Sequence, residues 1–483
     1  MILNKADLKG KINAGLLHKI SENNFEVKTC NPIEFITPKR FDLIAKYIFI
    51  KYSEANIKSN FHEDLYLRHI EVLNGFFEAD GSNKIGAKAF LKSFKSLIKS
   101  VREEGLNEDL LIPVNNNILI DGAHRLATIL FFEEKAKFIS VDIKQKSFDY
   151  DYFLNSGLER VYLDTMALEY INLKKKNLYL AFIWPTSGGK HESKIKKIFS
   201  KYGEIVYRKS FNLSKTGELN LIRNLYKNER WVGSSSNRFI GAQNKANWCF
   251  EKKGSVRVIL FESTGPVTKL KDEIRDLFKV NKHSIHITDT FHEVEEFSKL
   301  VFNDNTIHWM NFSTRKEYKW FNQLLVDYTQ WIDKNKYDLS KFCIDGSATL
   351  SAYGIRSARD LDFFYSDTER IITGIREIDC HNDRLKNDTQ QIHDQIFNPR
   401  NYFYYKSIKL ISLDRLYEYK QSRGETKDIQ DTNKINDLIN NKSRKTLKRF
   451  LIIFNIVILK ARIKFMLMKI RYYFLKAIKD VKI

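Results

Sequence analysis

Apolar residues recur at three- and four-residue spacing in two N-terminal stretches, FDLIAKYIFIKYSE (41–54) and KAFLKSFKSLIKSVREEG (88–105), and predict two amphipathic helices. A short apolar strand, NNILID (116–121), then runs into a third helix, HRLATILFFEEK (124–135). From 178 to 303 apolar runs of strand length alternate with helical periods: LYLAFIW, SKIKKIFSKYG, EIVYRKSF, GSVRVILFES, TKLKDEIRDLF, SIHITDT and FHEVEEFSKLVF. That alternation predicts a second α/β unit. A third stretch, about 315–440, carries DGSATLSAYGIRSARDLDFF (345–364) and ends in SLDRLYEYKQSRGETKDIQD (412–431).

The pattern divides the chain into 1–150, 151–314, 315–440 and a tail, 441–483, and places it among α/β and α+β multidomain proteins. In the tail, Ile463, Met466, Leu467, Ile470 and Phe474 form an apolar stripe at helical spacing, flanked by Lys460, Lys464 and Arg471 on one side and Arg462, Lys469 and Lys476 on the other. This is the pattern of a C-terminal amphipathic helix lying in an anionic membrane interface, its bases reaching back to the headgroups.

Composition sharpens this picture in one respect. The net charge is +22, and the tail holds 13 Lys/Arg against the single acid Asp480, so more than half of the excess sits in 43 residues and the body is only mildly basic. With 43% hydrophobic residues the chain has material for real cores, which excludes wholesale disorder. Cys30, Cys249, Cys343 and Cys380 have neither zinc-site nor disulfide-framework spacing. No stretch reaches the roughly 18–20 apolar residues of a spanning helix, and the start lacks a signal-peptide core. The expected location is cytoplasmic, peripheral at the inner face of the membrane.

Two motifs carry candidate phosphate chemistry. In ILIDGAHRLATIL (118–130) a strand meets a helix at Gly122; such a turn aims backbone N–H groups and the positive helix end at one point, with His124 and Arg125 as added donors. Asp121-Gly122-Ala123-His124-Arg125, with LYLRHIEVLNGFFEADG (65–81) and LLIPV (110–114) before it, resembles the phosphate-binding turn of the ParB/sulfiredoxin superfamily over about residues 60–145. Ala123 stands where sulfiredoxin needs cysteine, and no helix-turn-helix pattern follows, which leaves the branch similar to kinases of free amino acids such as serine. That resemblance implies nucleotide phosphates at Gly122, His124 and Arg125, a metal or acceptor contact at Asp121, and a carboxylate base at Glu78, with Glu71 as the other candidate.

In the second motif, Asp360 and Asp362 fall on one face if RDLDFF is a strand, roughly 6.5–7 Å apart, where they can converge on Mg²⁺ or Mn²⁺. Gly346 and Ser347 precede a predicted helix, SATLSAYG, whose first amides could meet phosphate. Gly-Ser, the 12 residues that follow and Asp-Leu-Asp together resemble the signature of the polymerase-beta-type nucleotidyltransferase superfamily, a mixed-sheet domain. The closing helical segment with Lys420, Arg423, Lys427 and Asp428 matches as well. The resemblance implies metal at Asp360 and Asp362, a third carboxylate at Asp379 or failing that Asp394, and ATP or another nucleoside triphosphate near Gly346, Ser347, Arg356 and Lys420. The family usually has an apolar residue where this chain has Asp345. TSGGKHE (186–192) lacks the first glycine of a P-loop, Trp184 standing in its place, and is rejected. His286, Asp289 and His292 have a spacing compatible with metal, and RWVGSSSNRFIGAQNKANW (230–248) with a substrate loop.

Together these features lead us to expect a transferase of phosphorus-containing groups acting on a small hydroxylated or sugar-phosphate acceptor, in surface polysaccharide assembly or modification. The rival class is a nucleic-acid binder or modifier, whose association would fall steeply with salt. Deleting 441–483 is expected to abolish cosedimentation with anionic vesicles while leaving any catalysis in solution intact.

Overall fold

The computed structural model describes residues 1–443 apart from 79–83, 106, 108, 145, 190, 368–370 and 387. The expected tail helix therefore lies outside the described residues, as do the side chains of 440–443. No described helix is long and apolar enough to cross a membrane.

The chain builds three principal sheets in sequence, each with its own helices. Strands β1 (Ile2–Asn4) and β2 (Asn24–Glu26) form a small ribbon, followed by β3 (Lys28–Cys30), β4 (Ile112–Asn115), β5 (Ile118–Leu119) and β6 (Ala136–Ser140). The last four pair in the order β3-β6-β4-β5, with β4 and β6 parallel across the crossover helix Ala123–Phe131. At the centre lies the helix Asp42–Glu54, covered almost all round, so it must bury Asp42 and Lys46 as well as Leu43, Ile44, Ile48 and Ile50. The two charges neutralise each other at 2.9 Å, and Arg40 closes on the same carboxylate with a two-pronged contact at 2.8 and 2.9 Å. Against the burial of Asp42, these two cations hold its carboxyl far below the usual range.

The alternating stretch yields β7 (Leu178–Ile183), β8 (Gly203–Phe211), β9 (Val256–Ser263) and β10 (Ile285–Ile287), in the order β10-β7-β9-β8 with every neighbour antiparallel. Strands β7 and β8 run the same way with β9 inserted between them. This is the split β-α-β arrangement of ferredoxin-like sheets, so strand-helix alternation produces an antiparallel sheet here. The helices Glu192–Tyr202 and Val267–Phe278 cover one face through Ile195, Phe199, Leu270 and Ile274. On the other face Leu180, Phe182, Val258 and Leu260 join an apolar core that runs continuously from Phe35 to Ile435.

The third sheet has β11 (Phe342–Asp345), β12 (Leu361–Tyr365), β13 (Ile378–Cys380), β14 (Tyr402–Tyr405) and β15 (Ile408–Ile411), in the order β13-β12-β11-β15-β14, with both parallel and antiparallel neighbours. Side-chain alternation sorts β11 and β12 into two faces. Phe342, Phe363 and Tyr365 meet Tyr328 and Trp331 of the helix Lys319–Lys334, or one another, in an aromatic layer. The opposite face carries Cys343, Asp345, Asp362 and Phe364. This sheet is tied to the first unit by Ser59, whose hydroxyl donates to Asp394 at 3.0 Å, and by the Lys58 N–H, which donates to His393 Nδ1 at 2.8 Å.

Candidate active site

Strand register brings three carboxylates into one row. Asp345 on β11 lies opposite Asp362 on β12, which lies opposite Asp379 on β13. Residues paired across adjacent strands point to the same face about 4.8 Å apart. The row grades from fully buried Asp345 through half-buried Asp362 to exposed Asp379, and Asp360, also exposed, sits immediately before β12. Gly346 follows Asp345 at φ +67°, and a Cβ there would stand 3.1 Å from Asp362 Oδ2. Glycine is thus what lets the backbone turn directly against that carboxylate. The helix after Ser347 is shorter than the sequence suggests, five residues from Ala348 to Ala352, so it offers little of the aligned dipole on which phosphate binding at a helix end depends.

Burial pushes the Asp362 carboxyl up to about 6; His381 opposes the rise, and Asp360 and Asp379 add to it. His381 Nε2 lies 3.2 Å from Asp362 Oδ1, and Arg384 contacts Asp345. Both bases come from the turn that follows β13. No motif marks them, and the only signal in the sequence is the run CHNDR directly after Asp379. Among the described residues no group of three or more His, Cys, Asp or Glu is arranged to hold a metal ion. The side chains that could take part in holding a hard dication are Asp360 and Asp362, with Asp379 alongside. A Mg²⁺ ion bound through one or two carboxylates and the substrate's own phosphates would fit such a half-open set.

Arg356 and Lys420 lie in a neighbouring ion-pair cluster. Lys420 is buried and donates to Asp428 at 2.8 Å, with Asp431 at 2.9 Å. Arg356 grips Asp431 at 2.7 and 2.8 Å, and Arg423 grips Asp428 at 2.6 and 2.7 Å. These contacts lock the helix Leu413–Arg423 to the helix Thr426–Ser443, so a phosphate would have to compete with carboxylates already in place. Arg356 also lies within the electrostatic reach of Asp360, which sets the cluster beside the acid row. Asp394 is engaged by Ser59, Asn398 and Asn401 at the junction with the first unit.

At the N-terminal turn Gly122 has φ +86° and opens the helix Ala123–Phe131. His124 points inward: its Nε2 is 3.0 Å from the Tyr66 hydroxyl and its ring packs edge-on to Phe94. Burial, reinforced by Lys46 and His69, holds its pKa well below the ordinary value, so the imidazole is neutral rather than a cationic phosphate donor. Arg125 folds back over Gly122, with Nη2 3.3 Å from where a Cβ would stand, and its buried Nη1 has no hydrogen-bond partner among the described residues. Asp121 is Arg125's charge partner. Glu78 pairs with Lys84 at 2.8 Å and acts electrostatically on Tyr66 and Lys46, which brings it to the same edge as His124. Glu71 pairs with Arg68 one helical turn away.

In the middle unit, His286 is enclosed by Phe182, Tyr226 and Phe297, which explains why the spacing of His286, Asp289 and His292 gathers no ligands. No protein-family model, no curated protein and no solved structure matches the chain.

Two outcomes follow from these charges. A folded-state pKa above the unfolded value means that ionised Asp362 opposes folding; the cost is absent below about pH 4, grows as pH rises, and is complete above about 6. Asp362→Asn is therefore expected to stabilise the ligand-free protein by about 1–3 kcal/mol at pH 8 and negligibly at pH 4, read by chemical denaturation. Lys420→Ala leaves Asp428 to Arg423 alone and Asp431 to Arg356 alone, and should cost about 1–3 kcal/mol in the same measurement, the loss of a charged hydrogen bond rather than of a sole partner.

Proposed function

We propose that the third sheet carries a nucleotidyl or phosphoryl transferase site that uses a nucleoside triphosphate and a small hydroxylated or sugar-phosphate acceptor. The observation that supports this most is the in-register row of Asp345, Asp362 and Asp379 beside the Gly346 turn. It gives the likeness to polymerase-beta-type nucleotidyltransferases a carboxylate on the adjacent strand as well as the Asp-x-Asp pair. Asp360 and Asp362 would hold Mg²⁺ or Mn²⁺, which supplies charge neutralisation for the triphosphate and acidifies the attacking hydroxyl. In nucleotidyl transfer the acceptor oxygen bonds to the α-phosphorus and the bond to the leaving pyrophosphate breaks. The acceptor proton passes to Asp379, the exposed member of the row. Asp362, with its carboxyl pushed up, gains most from a positive ligand.

The N-terminal turn is proposed as a second phosphate site of the free-serine-kinase type, with Arg125 as its principal cation and Glu78 as base. His124 fixes the turn through Tyr66 and, as a neutral imidazole, would offer a phosphate an N–H but no positive charge. A kinase and a transferase on one chain, held at the inner membrane face by the tail, suit the assembly or modification of a surface polysaccharide.

The deciding experiment incubates the full chain with labelled ATP, CTP or GTP and Mg²⁺ against serine, glycerol and sugar acceptors. Asp360→Ala should lower one transfer by at least about 100-fold and leave the other, and Arg125→Ala should do the reverse. Absence of turnover with every pair sinks the proposal; binding that DNA or RNA displaces and that collapses between 50 and 200 mM salt supports the nucleic-acid rival instead.

A further inference from the structure

Beside the acid row, between the carboxylate face of the third sheet and the helix Leu413–Arg423, lies a cleft of about 330 Å³. Its walls include Asp345, Phe364, Arg384, Gln395, Arg415 and Tyr419. The volume is at the lower end of small-molecule pockets. It opens on the buried end of the row, away from exposed Asp379.

The charged groups facing this cleft are incompletely satisfied. Asp345 is fully buried, and neither carboxylate oxygen has a hydrogen bond of good geometry among the described residues; its counter-charge is the touching Arg384. Arg384 lies flat on Tyr419, 3.2 Å from the ring centroid, and its Nε is buried without a hydrogen-bond partner. Stacking fixes the plane of the guanidinium and leaves its Nε without an acceptor. Arg415 is held by Asn401 at 2.7 Å through Nε and by Glu418 at 2.9 Å through Nη1. Asp345 and Arg384 offset each other's charge, but Asp345 Oδ1 and Arg384 Nε are buried atoms with no hydrogen-bond partner among the described residues, and each costs free energy unless a partner completes it. The missing partners are a hydroxyl for Asp345 and an anion for Arg384, with Arg415 as a second cation nearby.

We infer that this cleft is the acceptor subsite of the proposed transferase, and that it takes a phosphorylated polyol or sugar, with ligand hydroxyls on Asp345 and the phosphate on Arg384 and Arg415. The inference rests on the transferase reading for the word acceptor, but the binding it describes does not. Asp345 and Asp362 are paired across neighbouring strands, so a hydroxyl anchored at Asp345 lies one strand spacing from Asp362 and two from the proposed base Asp379, which leaves another hydroxyl of the same ligand to face the site of transfer. Asp345, the residue that departs from the family pattern, then serves to select a hydroxylated acceptor.

The test uses the full chain and measures binding of glycerol 3-phosphate and glucose 1-phosphate by calorimetry, with glycerol, glucose, serine and inorganic phosphate as controls. The phosphorylated polyols should bind at least 10-fold more tightly than any control. Ser422→Phe places bulk at the exposed rim of the cleft without touching Asp345 or Arg384, and should weaken that binding by 10-fold or more. The double variant Asp345→Asn/Arg384→Gln neutralises the buried pair together, avoids leaving one charge alone, and should do the same. Nucleotide affinity should change less than twofold in both. Where transfer is observed, the KM for acceptor should rise with kcat nearly unchanged in Ser422→Phe. Selective binding lost in both variants upholds the subsite even if no acceptor is turned over, in which case the transferase reading alone falls. Transfer at unaltered acceptor KM, or binding equal to that of serine or inorganic phosphate, overturns the subsite and leaves the transferase reading standing.

Discussion

Carboxylates on neighbouring strands repel one another at the distance fixed by sheet hydrogen bonding, and the third sheet holds three of them at that distance. Much of the surrounding structure answers that constraint. Arg384 is laid against the buried acid, His381 against the middle one, and the outermost faces water, where solvent screens it. The aromatic layer on the other face of the sheet makes the arrangement tolerable, because Tyr328, Trp331, Phe342 and Phe363 supply the apolar contact that offsets the crowding. Strained electrostatics backed by rigid packing is how proteins hold groups ready for a ligand that is not yet present.

The same principle operates at the other end of the chain with a different result. Arg40, Asp42 and Lys46 form a charged string inside the first unit that ends on His69, which burial and Lys46 keep neutral, with Lys46 Nζ 3.1 Å from His69 Nε2. There the charges are mutually satisfied and sealed in, and their effect on the Gly122 turn is indirect: Lys46 and His69 help to keep His124 neutral. Among the described residues, the cation left with a free donor at that turn is Arg125, outside the string. Lys420 teaches a similar lesson, since a lysine in the expected place of a motif can commit its charge to two aspartates of the next helix.

Periodicity made much of the fold legible. The strands at 178–183, 203–211 and 256–263 and the helices at 42–54, 87–104 and 267–278 fall where apolar spacing puts them. Strand order was hidden, because the local pattern of LYLAFIW or GSVRVILFES is the same whether its neighbour runs parallel or antiparallel; insertion of β9 between β7 and β8 is decided by contacts far apart in sequence. At the candidate site the Asp-x-Asp pair and the Gly-Ser turn were legible, and so was Asp379 as an acid in a strand. Its register opposite Asp362 was not, nor was the presence of Asp345 in the same row. His381 and Arg384 were illegible for another reason: they cap and occupy a single 3₁₀ turn, Asn382–Leu385, too short for a period to show in the sequence. The inward turn of His124 depends on Tyr66, 58 residues earlier, which no local motif could reveal.

The apolar core that passes without a break from Phe35 to Ile435 bears on how two candidate sites on one chain could cooperate. Swinging one unit away from another would strip water-excluded surface at roughly 25 cal/mol for each Å² exposed, a steep penalty for any hinge. Cooperation by domain closure is thus disfavoured by construction. An intermediate made at one site would have to travel to the other through solvent, and the chain would help chiefly by keeping the start and end of that journey on a single body.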